Sequence, residues 1–190
     1  MGAAAPAHPC PGCRRAVGSP AMPRLALAAL LAALAAAAAP ASAQEPHVPT
    51  TGLAATFSYG GGGELGLDEG EDELGAGVAE IEATLGYEFE STGLRPEIGV
   101  VLGLDPDTHW ALRPGIRWSL QTLPIQVRLA FDGSNARDRS MEWRWLLLGV
   151  AAELRFTSVL GLFAEVDGGA PLSSEAGVPL LARAGATFRF

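Results

Sequence analysis

Between Val78 and Glu90 the chain reads VAEIEATLGYEFE, and its two parities separate cleanly. Even positions carry Glu80, Glu82, Thr84, Gly86, Glu88 and Glu90, while odd positions carry Ala79, Ile81, Ala83, Leu85, Tyr87 and Phe89. A period of two is the spacing of a β-strand with one apolar and one polar face. The same alternation recurs along the chain and predicts eight strands, over 51–59, 78–90, 94–104, 110–120, 125–132, 143–156, 160–167 and 178–190. In the third, Leu94, Pro96, Ile98, Val100, Leu102 and Leu104 face away from Arg95, Glu97, Gly99, Val101 and Gly103. The sixth is blurred at its start: Trp143 and Trp145 fall on the wrong parity, which predicts a bulge or a rim position.

The connections alternate in character. Polar, Gly-rich or charged stretches follow the odd strands, over 60–75, 105–109, 133–142 and 168–177. Short turns follow the even ones, near 91–93, 121–124 and 157–159. An even number of strands with tight turns at one end and longer loops at the other is the pattern of a transmembrane β-barrel. The predicted fold class is therefore all-β, an eight-stranded antiparallel up-and-down barrel over residues 51–190.

Two features decide which face meets what. On the apolar row, Tyr87, Phe89, Trp118, Phe156, Phe188 and Phe190 lie at the short-turn ends, and Phe57, Tyr59, Trp110 and Phe131 at the loop ends. Between them the row is Leu, Val, Ile and Ala. Aromatic girdles flanking an aliphatic band are what a bilayer selects, because rings prefer the interface. The polar row holds Glu80, Glu82, Glu88, Glu90, Glu97, Asp132, Glu153, Glu165 and Asp167 together with Arg95, Arg113, Arg117, Arg128, Arg155, Arg183 and Arg189. Arg, whose planar fork grips carboxylates in a bidentate way, suits enclosed pairs. The charged row is expected to point into a narrow lumen as an ion-pair network, and the apolar row outward. If Glu90 stands opposite Arg95, Glu88 falls beside Glu97, with Arg117, Arg155 and Arg189 at that level. Eight strands enclose an interior that side chains can fill, which argues against a wide pore.

The N-terminus adds location. Residues 25–39 form an apolar Leu/Ala run preceded by Arg24 and followed by Ala41-Ser42-Ala43. This reads as a secretory signal peptide, 1–43, cut before Gln44, followed by a short tail over 44–50. Met22 opens a signal of normal length by itself, which leaves 1–21 open to being a mis-called start. Both cysteines, Cys10 and Cys13, fall upstream of the run, so the exported part has none. It carries all 21 acidic residues and ten of the 13 basic ones, a net charge of 10 − 21 = −11. With no basic patch, nucleic acid is not expected as a partner. Six acids, Glu64, Asp68, Glu69, Glu71, Asp72 and Glu73, share one loop. A solvated acidic loop is the preferred reading, and divalent cation binding through carboxylate oxygens the weaker one.

With these residues in view, the chain resembles the small eight-stranded outer-membrane barrels of Gram-negative bacteria, of the outer membrane protein A and X type, without the periplasmic peptidoglycan-binding domain of the A type. The ending ATFRF is similar to the C-terminal signal read by the barrel-assembly machinery in that class, with Ala186, Phe188 and Phe190 at the matching positions. The resemblance implies the outer membrane as location, lipid and lipopolysaccharide as surroundings, no cofactor, and a non-enzymatic structural or surface-interaction role. Two alternatives stand beside it. Some similar barrels modify lipid A with a His–Ser pair, but the exported part offers only His47 and His109, with Ser134, Ser140, Ser173 and Ser174 in other loops. A soluble periplasmic barrel binding an apolar ligand would need both faces reversed.

Overall fold

Alternation of period two carries each predicted segment into a strand. The computed structural model describes residues 51–65, 77–105, 108–120, 123–135, 140–174 and 176–190. The signal-peptide region 1–43, the tail 44–50 and the acidic stretch from 66 to 76 lie outside the described residues. The strands are β1 Gly52–Leu65, β2 Val78–Glu88, β3 Leu94–Asp105, β4 His109–Ser119, β5 Ile125–Ser134, β6 Glu142–Arg155, β7 Leu160–Pro171 and β8 Val178–Arg189. They form a closed antiparallel barrel in chain order, with β1 pairing to both β2 and β8. Closure leaves no edge strand, so the ladder groups of every strand have a neighbour on both sides.

Parity holds around the ring. Leu53, Phe57, Leu85, Ile98, Val100, Leu102, Leu129, Leu148 and Val150 are exposed on the outside, and Glu80, Glu82, Arg113, Arg128 and Glu165 are buried inside. The interior is polar and the exterior apolar, the reverse of a soluble globule. The predicted girdle residues Tyr59, Tyr87, Phe89, Trp110, Trp118 and Phe156 are all exposed on the outer face. Tyr87 and Phe89 meet edge to face at 5.1 Å, and the Trp118 Nε1 donates to the Thr92 carbonyl at 3.1 Å, tying a ring to the short-turn end.

Several strands run further than the alternation alone predicts. β1 continues through Gly60-Gly61-Gly62-Gly63 to Leu65, and β7 through Gly168-Gly169 to Pro171. The glycines read as loop by turn preference, yet β8 lies so close to Gly60 and Gly62 that a Cβ there would run into Arg183 and the Leu180 carbonyl. Close backbone approach is what glycine permits in a strand. The β3–β4 connection covers only 106–108, no longer than the short turns, so alternation of connection length fails at that one point.

The blurred start of β6 is a β-bulge. Asp132 pairs with Trp145 and Gly133 with Trp143, which makes Arg144 the extra residue. Two tryptophans two positions apart therefore point to opposite faces: Trp143 is 53% exposed and Trp145 3%. A second shift separates Ala79↔Asp105 from Glu80↔Gly103. The β2–β3 hairpin also differs from the expected register. Gly86 pairs with Glu97 and Phe89 bridges to Leu94, so Glu88, not Glu90, stands across from Arg95. The turn between them carries Gly93 at φ 67°, with its N–H donating to the Phe89 carbonyl at 2.8 Å. That left-handed residue closes a loop over 90–93, two residues longer on the β2 side than the expected pairing of Glu90 with Arg95 implies, and parity survives because the slip is two residues.

Candidate functional site

Strands β2 to β8 each send charged side chains into the lumen, and β1 sends none below its mouth. Its inward positions are Ala54, Thr56, Ser58 and Gly60, with Glu64 at the rim. Arg113 on β4 is buried at 1% exposure and grips Glu80 in a fork, Nη1 to Oε1 at 2.5 Å and Nη2 to Oε2 at 2.8 Å. The same guanidinium reaches Glu82 at 3.1 Å and, through Nε, Asp132 at 2.5 Å. Arg183 on β8 meets Glu82, and its Nη2 donates to both Glu165 and Asp167 at 2.5 Å.

The middle of the lumen is organised by shared carboxylates. Glu97 contacts Arg95 at 3.0 Å, Arg117 at 3.2 Å and Arg128 at 2.7 Å. Glu165 contacts Arg117, Arg128 and Arg183, and Glu82 contacts Arg113, Arg128 and Arg183. Each of these three glutamates thus holds three guanidiniums. Phe163, also inward, lies under Arg117 with the cation 5.8 Å from the ring centroid, a favourable placement over the ring face.

At the short-turn end a smaller group forms. Arg189 donates to Glu153 at 2.8 and 2.7 Å and to Glu88 at 3.1 Å. Arg155 lies 3.4 Å from Glu88 and is the most exposed of the interior arginines, with 16% of its side chain accessible. Gln126 joins the two groups, accepting from Arg117 at 3.3 Å and donating to Glu153 at 2.6 Å. Small residues make room for the long ones. A Cβ on Gly99 would lie 2.5 Å from Glu82 Oε1, and one on Gly161 2.5 Å from Glu153 Oε1.

The loop-end mouth is apolar. Val78, Trp145, Leu147, Ala176 and Leu181 cluster inside the ring. Trp145 Nε1 donates to the Gly177 carbonyl at 3.1 Å, and Gly177 N–H donates to Glu64 at 3.2 Å. Glu64 pairs with Arg144, whose guanidinium lies 4.3 Å over the Trp145 ring. Ala176 and Gly177, just before β8, are thereby held at the opening.

Of the residues singled out from sequence, Glu80, Glu82, Glu88, Arg95, Glu97, Arg113, Arg117, Arg128, Glu153, Arg155, Glu165, Arg183 and Arg189 come together inside the ring. Glu90 does not. It is exposed on the β2–β3 turn, where its backbone N–H donates to the Thr51 hydroxyl at 3.2 Å, a consequence of the two-residue register difference. Arg144, Trp145 and Glu64 form the mouth contacts and are not among the site residues read from sequence: Glu64 reads as part of the acidic loop, and Arg144 is the extra residue of the bulge. At the C-terminus Ala186 stands beside Phe57 and Leu162, Phe188 is exposed on the outer face, and Phe190 N–H donates to the Leu53 carbonyl at 2.9 Å. Among the described residues, no three His, Cys, Asp or Glu converge as metal ligands. The cation reading of the acidic loop falls largely on residues outside those described.

What the interior does chemically is mutual neutralisation. Enclosed charges are costly unless paired and hydrogen-bonded, and here nearly every guanidinium nitrogen meets a carboxylate. The faces are also the reverse of what an internal apolar-ligand site requires. No protein-family model matches the chain, and no curated protein matches it. Among solved structures it is similar to the N-terminal β-barrel domain of Pseudomonas aeruginosa OprF, at 13% identity and a TM-score of 0.54, over 74% of this chain and 98% of that one. Neisserial surface protein A (NspA) is also matched, at 13% identity and a TM-score of 0.45, over 73% of this chain and 96% of that one. The closed ring of eight strands and the likeness to the OprF barrel agree on one architecture: this chain has the fold of a small outer-membrane barrel.

Proposed function

We propose that the chain is an integral outer-membrane β-barrel of non-enzymatic type, acting as a structural or surface-interaction element of the envelope, with a filled lumen and no wide pore. One observation carries this reading: the apolar side chains form a continuous outer band between aromatic girdles, while the charges are enclosed. A lipid bilayer is the solvent that such a surface fits, and strands of 10 to 14 residues are long enough to cross it when tilted. The interior carboxylates are engaged by arginines, which is a structural use and favours a non-enzymatic role. The signal-like leader supports export. The outward placement of Phe188 and Phe190 supports presentation of this end to the barrel-assembly machinery, and lipopolysaccharide is the expected neighbour of the loop-end girdle.

The test is migration in detergent gels. Membrane fractions from a Gram-negative host expressing the chain would be run with and without boiling. A folded transmembrane barrel resists detergent until heated, so the expected result is a heat-dependent shift confined to the outer-membrane fraction. A soluble periplasmic product with no shift would overturn the reading.

A further inference from the structure

The enclosed charges do not balance. Among the described residues the lumen holds seven arginines, Arg95, Arg113, Arg117, Arg128, Arg155, Arg183 and Arg189, against eight carboxyls, Glu80, Glu82, Glu88, Glu97, Asp132, Glu153, Glu165 and Asp167, with His109 half-buried on the same face at the loop end. Glu64 and Arg144 balance each other at the mouth. One negative charge is left over inside a space from which solvent is largely excluded. An uncompensated buried charge is among the costliest features a fold can carry, so a counter-charge is required.

Its place is marked by Glu165 and Asp167. These stand two residues apart on β7 and both face the lumen. Arg183 Nη2 lies 2.5 Å from Glu165 Oε1 and 2.5 Å from Asp167 Oδ2, so one nitrogen is shared between two carboxyls. The two carboxyls therefore crowd one nitrogen from the same strand. A Cβ on Gly149 of β6 would touch both Asp167 Oδ1 and Glu165 Oε1, so those atoms sit over the same spot. Asp167 is fully enclosed at 0% exposure, yet its Oδ1 has no hydrogen-bond partner. Two carboxyls crowded together repel unless one keeps its proton, and a retained proton lets one donate to the other.

We infer that Glu165 and Asp167 hold one proton between them in the folded barrel, an O–H of one donating to an oxygen of the other, and that this proton is the missing counter-charge. With it the lumen carries seven positive and seven negative groups. The surroundings select this pair. Glu165 has Arg117, Arg128 and Arg183 as partners, whereas Asp167 has Arg183 alone. From β8, Leu181 stands opposite Asp167, and from β6 Gly149 brings no side chain. Arg113 and Arg128 act on Asp167 across the lumen, and Glu82 competes with it for Arg183. Asp132 also keeps a buried oxygen without a partner, but it has its own contact to Arg113 at 2.5 Å and no carboxyl neighbour on its strand. A small cation would find three arginines around the pair and is disfavoured by them.

The test is infrared spectroscopy of the refolded full-length barrel at neutral pH, where exposed carboxyls are ionised and only a protonated one shows an acid carbonyl band. Wild type is expected to show one such band, shifted in deuterium oxide. Asp167→Asn, which matches the neutral acid in shape, is expected to lack the band and to keep the wild-type urea midpoint. Asp132→Asn is expected to keep the band. Absence of the band in wild type overturns the inference whether or not either variant folds. So does a band that persists unchanged in Asp167→Asn, or one that disappears in Asp132→Asn.

Discussion

Glu97 Oε1 on β3 lies 2.7 Å from Arg128 Nε on β5, a contact that passes over the intervening strand β4. The ladders explain why it is needed. Arg95 pairs directly with Arg117, and Arg117 directly with Arg128, so three like charges stand in a row on neighbouring strands. Like charges directly opposite one another destabilise a sheet. Glu97 meets all three and turns a repulsive row into a shared clamp.

Replacing that hub takes a carboxylate from three cations at once: Arg117 and Arg128 keep Glu165, whereas Arg95 loses its contact at 3.0 Å. Glu97→Gln is expected to lower the stability of the refolded barrel by about 3–5 kcal/mol, read as a shift in urea midpoint. Glu90→Gln, on the exposed turn, is expected to stay within about 0.5 kcal/mol of wild type. Equal midpoints for the two variants would show that the enclosed contacts contribute nothing particular.

Arg117 tests geometry as well as charge. Its Nε faces Glu97 while its Nη1 faces Glu165 and Gln126. A lysine supplies one point of charge and cannot address both sides. Arg117→Lys is therefore expected to recover less than half of the loss caused by Arg117→Ala, again by urea midpoint, and Arg155→Ala at the more open end should cost less than Arg117→Ala.

The bulge at Arg144 gives an optical prediction. Trp143 faces outward beside Phe131, the ring centroids 6.2 Å apart, whereas Trp145 is inside. In single-tryptophan variants reconstituted in bilayers, lipid-borne quenchers are expected to dim Trp143 strongly and Trp145 little. Similar quenching of both would mean that the bulge does not invert the strand.

The outer face is sensitive to charge by depth. Val100 lies mid-strand on the outside, next to Ala83 and Leu112. Val100→Arg is expected to cost about 2–4 kcal/mol in lipid, measured from the folded fraction in unboiled gels and the urea midpoint. A neutral result would place this band outside the hydrocarbon.

Gly93 serves the short-turn end. At φ 67° a Cβ meets a local steric penalty, and it would also lie 2.5 Å from the Ser119 carbonyl oxygen. Gly93→Ala is expected to cost about 1–2 kcal/mol, with Gly93→Asn milder because Asn tolerates this region better. Hydrogen exchange at the Gly93 amide would report the loosened turn directly.

Much of this architecture is legible in the residues because a barrel strand keeps one face in and one face out along its whole length. Leu85 and Glu82 differ in parity, and that alone places them on opposite sides. Partners are less legible. Which arginine meets Glu82 depends on how far each strand slides past the next, and the alternation is silent on any slip of two. Gly93 shows the limit: a left-handed turn residue sets the register, and the assumed pairing of Glu90 with Arg95 misses it. Strand ends in Gly-rich sequence are hidden for another reason. Gly60 to Gly63 look like loop by preference, and pairing with β8 on one side and β2 on the other makes them strand.

The bare inner face of β1 bears on how the ring comes to be shut. Most charges from β2 through β8 can find partners while the sheet is still an open, curving ribbon, but Arg183–Glu82 and Arg189–Glu88 join β8 to β2 over β1 and form only as the ring shuts. β1 then joins β8 along a ladder from Ala54↔Arg189 to Leu65↔Val178, bringing backbone groups, small side chains and hydroxyls, with Thr56 meeting Thr84 on its other side. The ladder itself brings no ion of β1 below the mouth, and the two ion pairs that arch over β1 are enclosed in the same step. The stitch that completes the molecule thus fastens β8 to β2 over a strand that contributes only backbone and small side chains there.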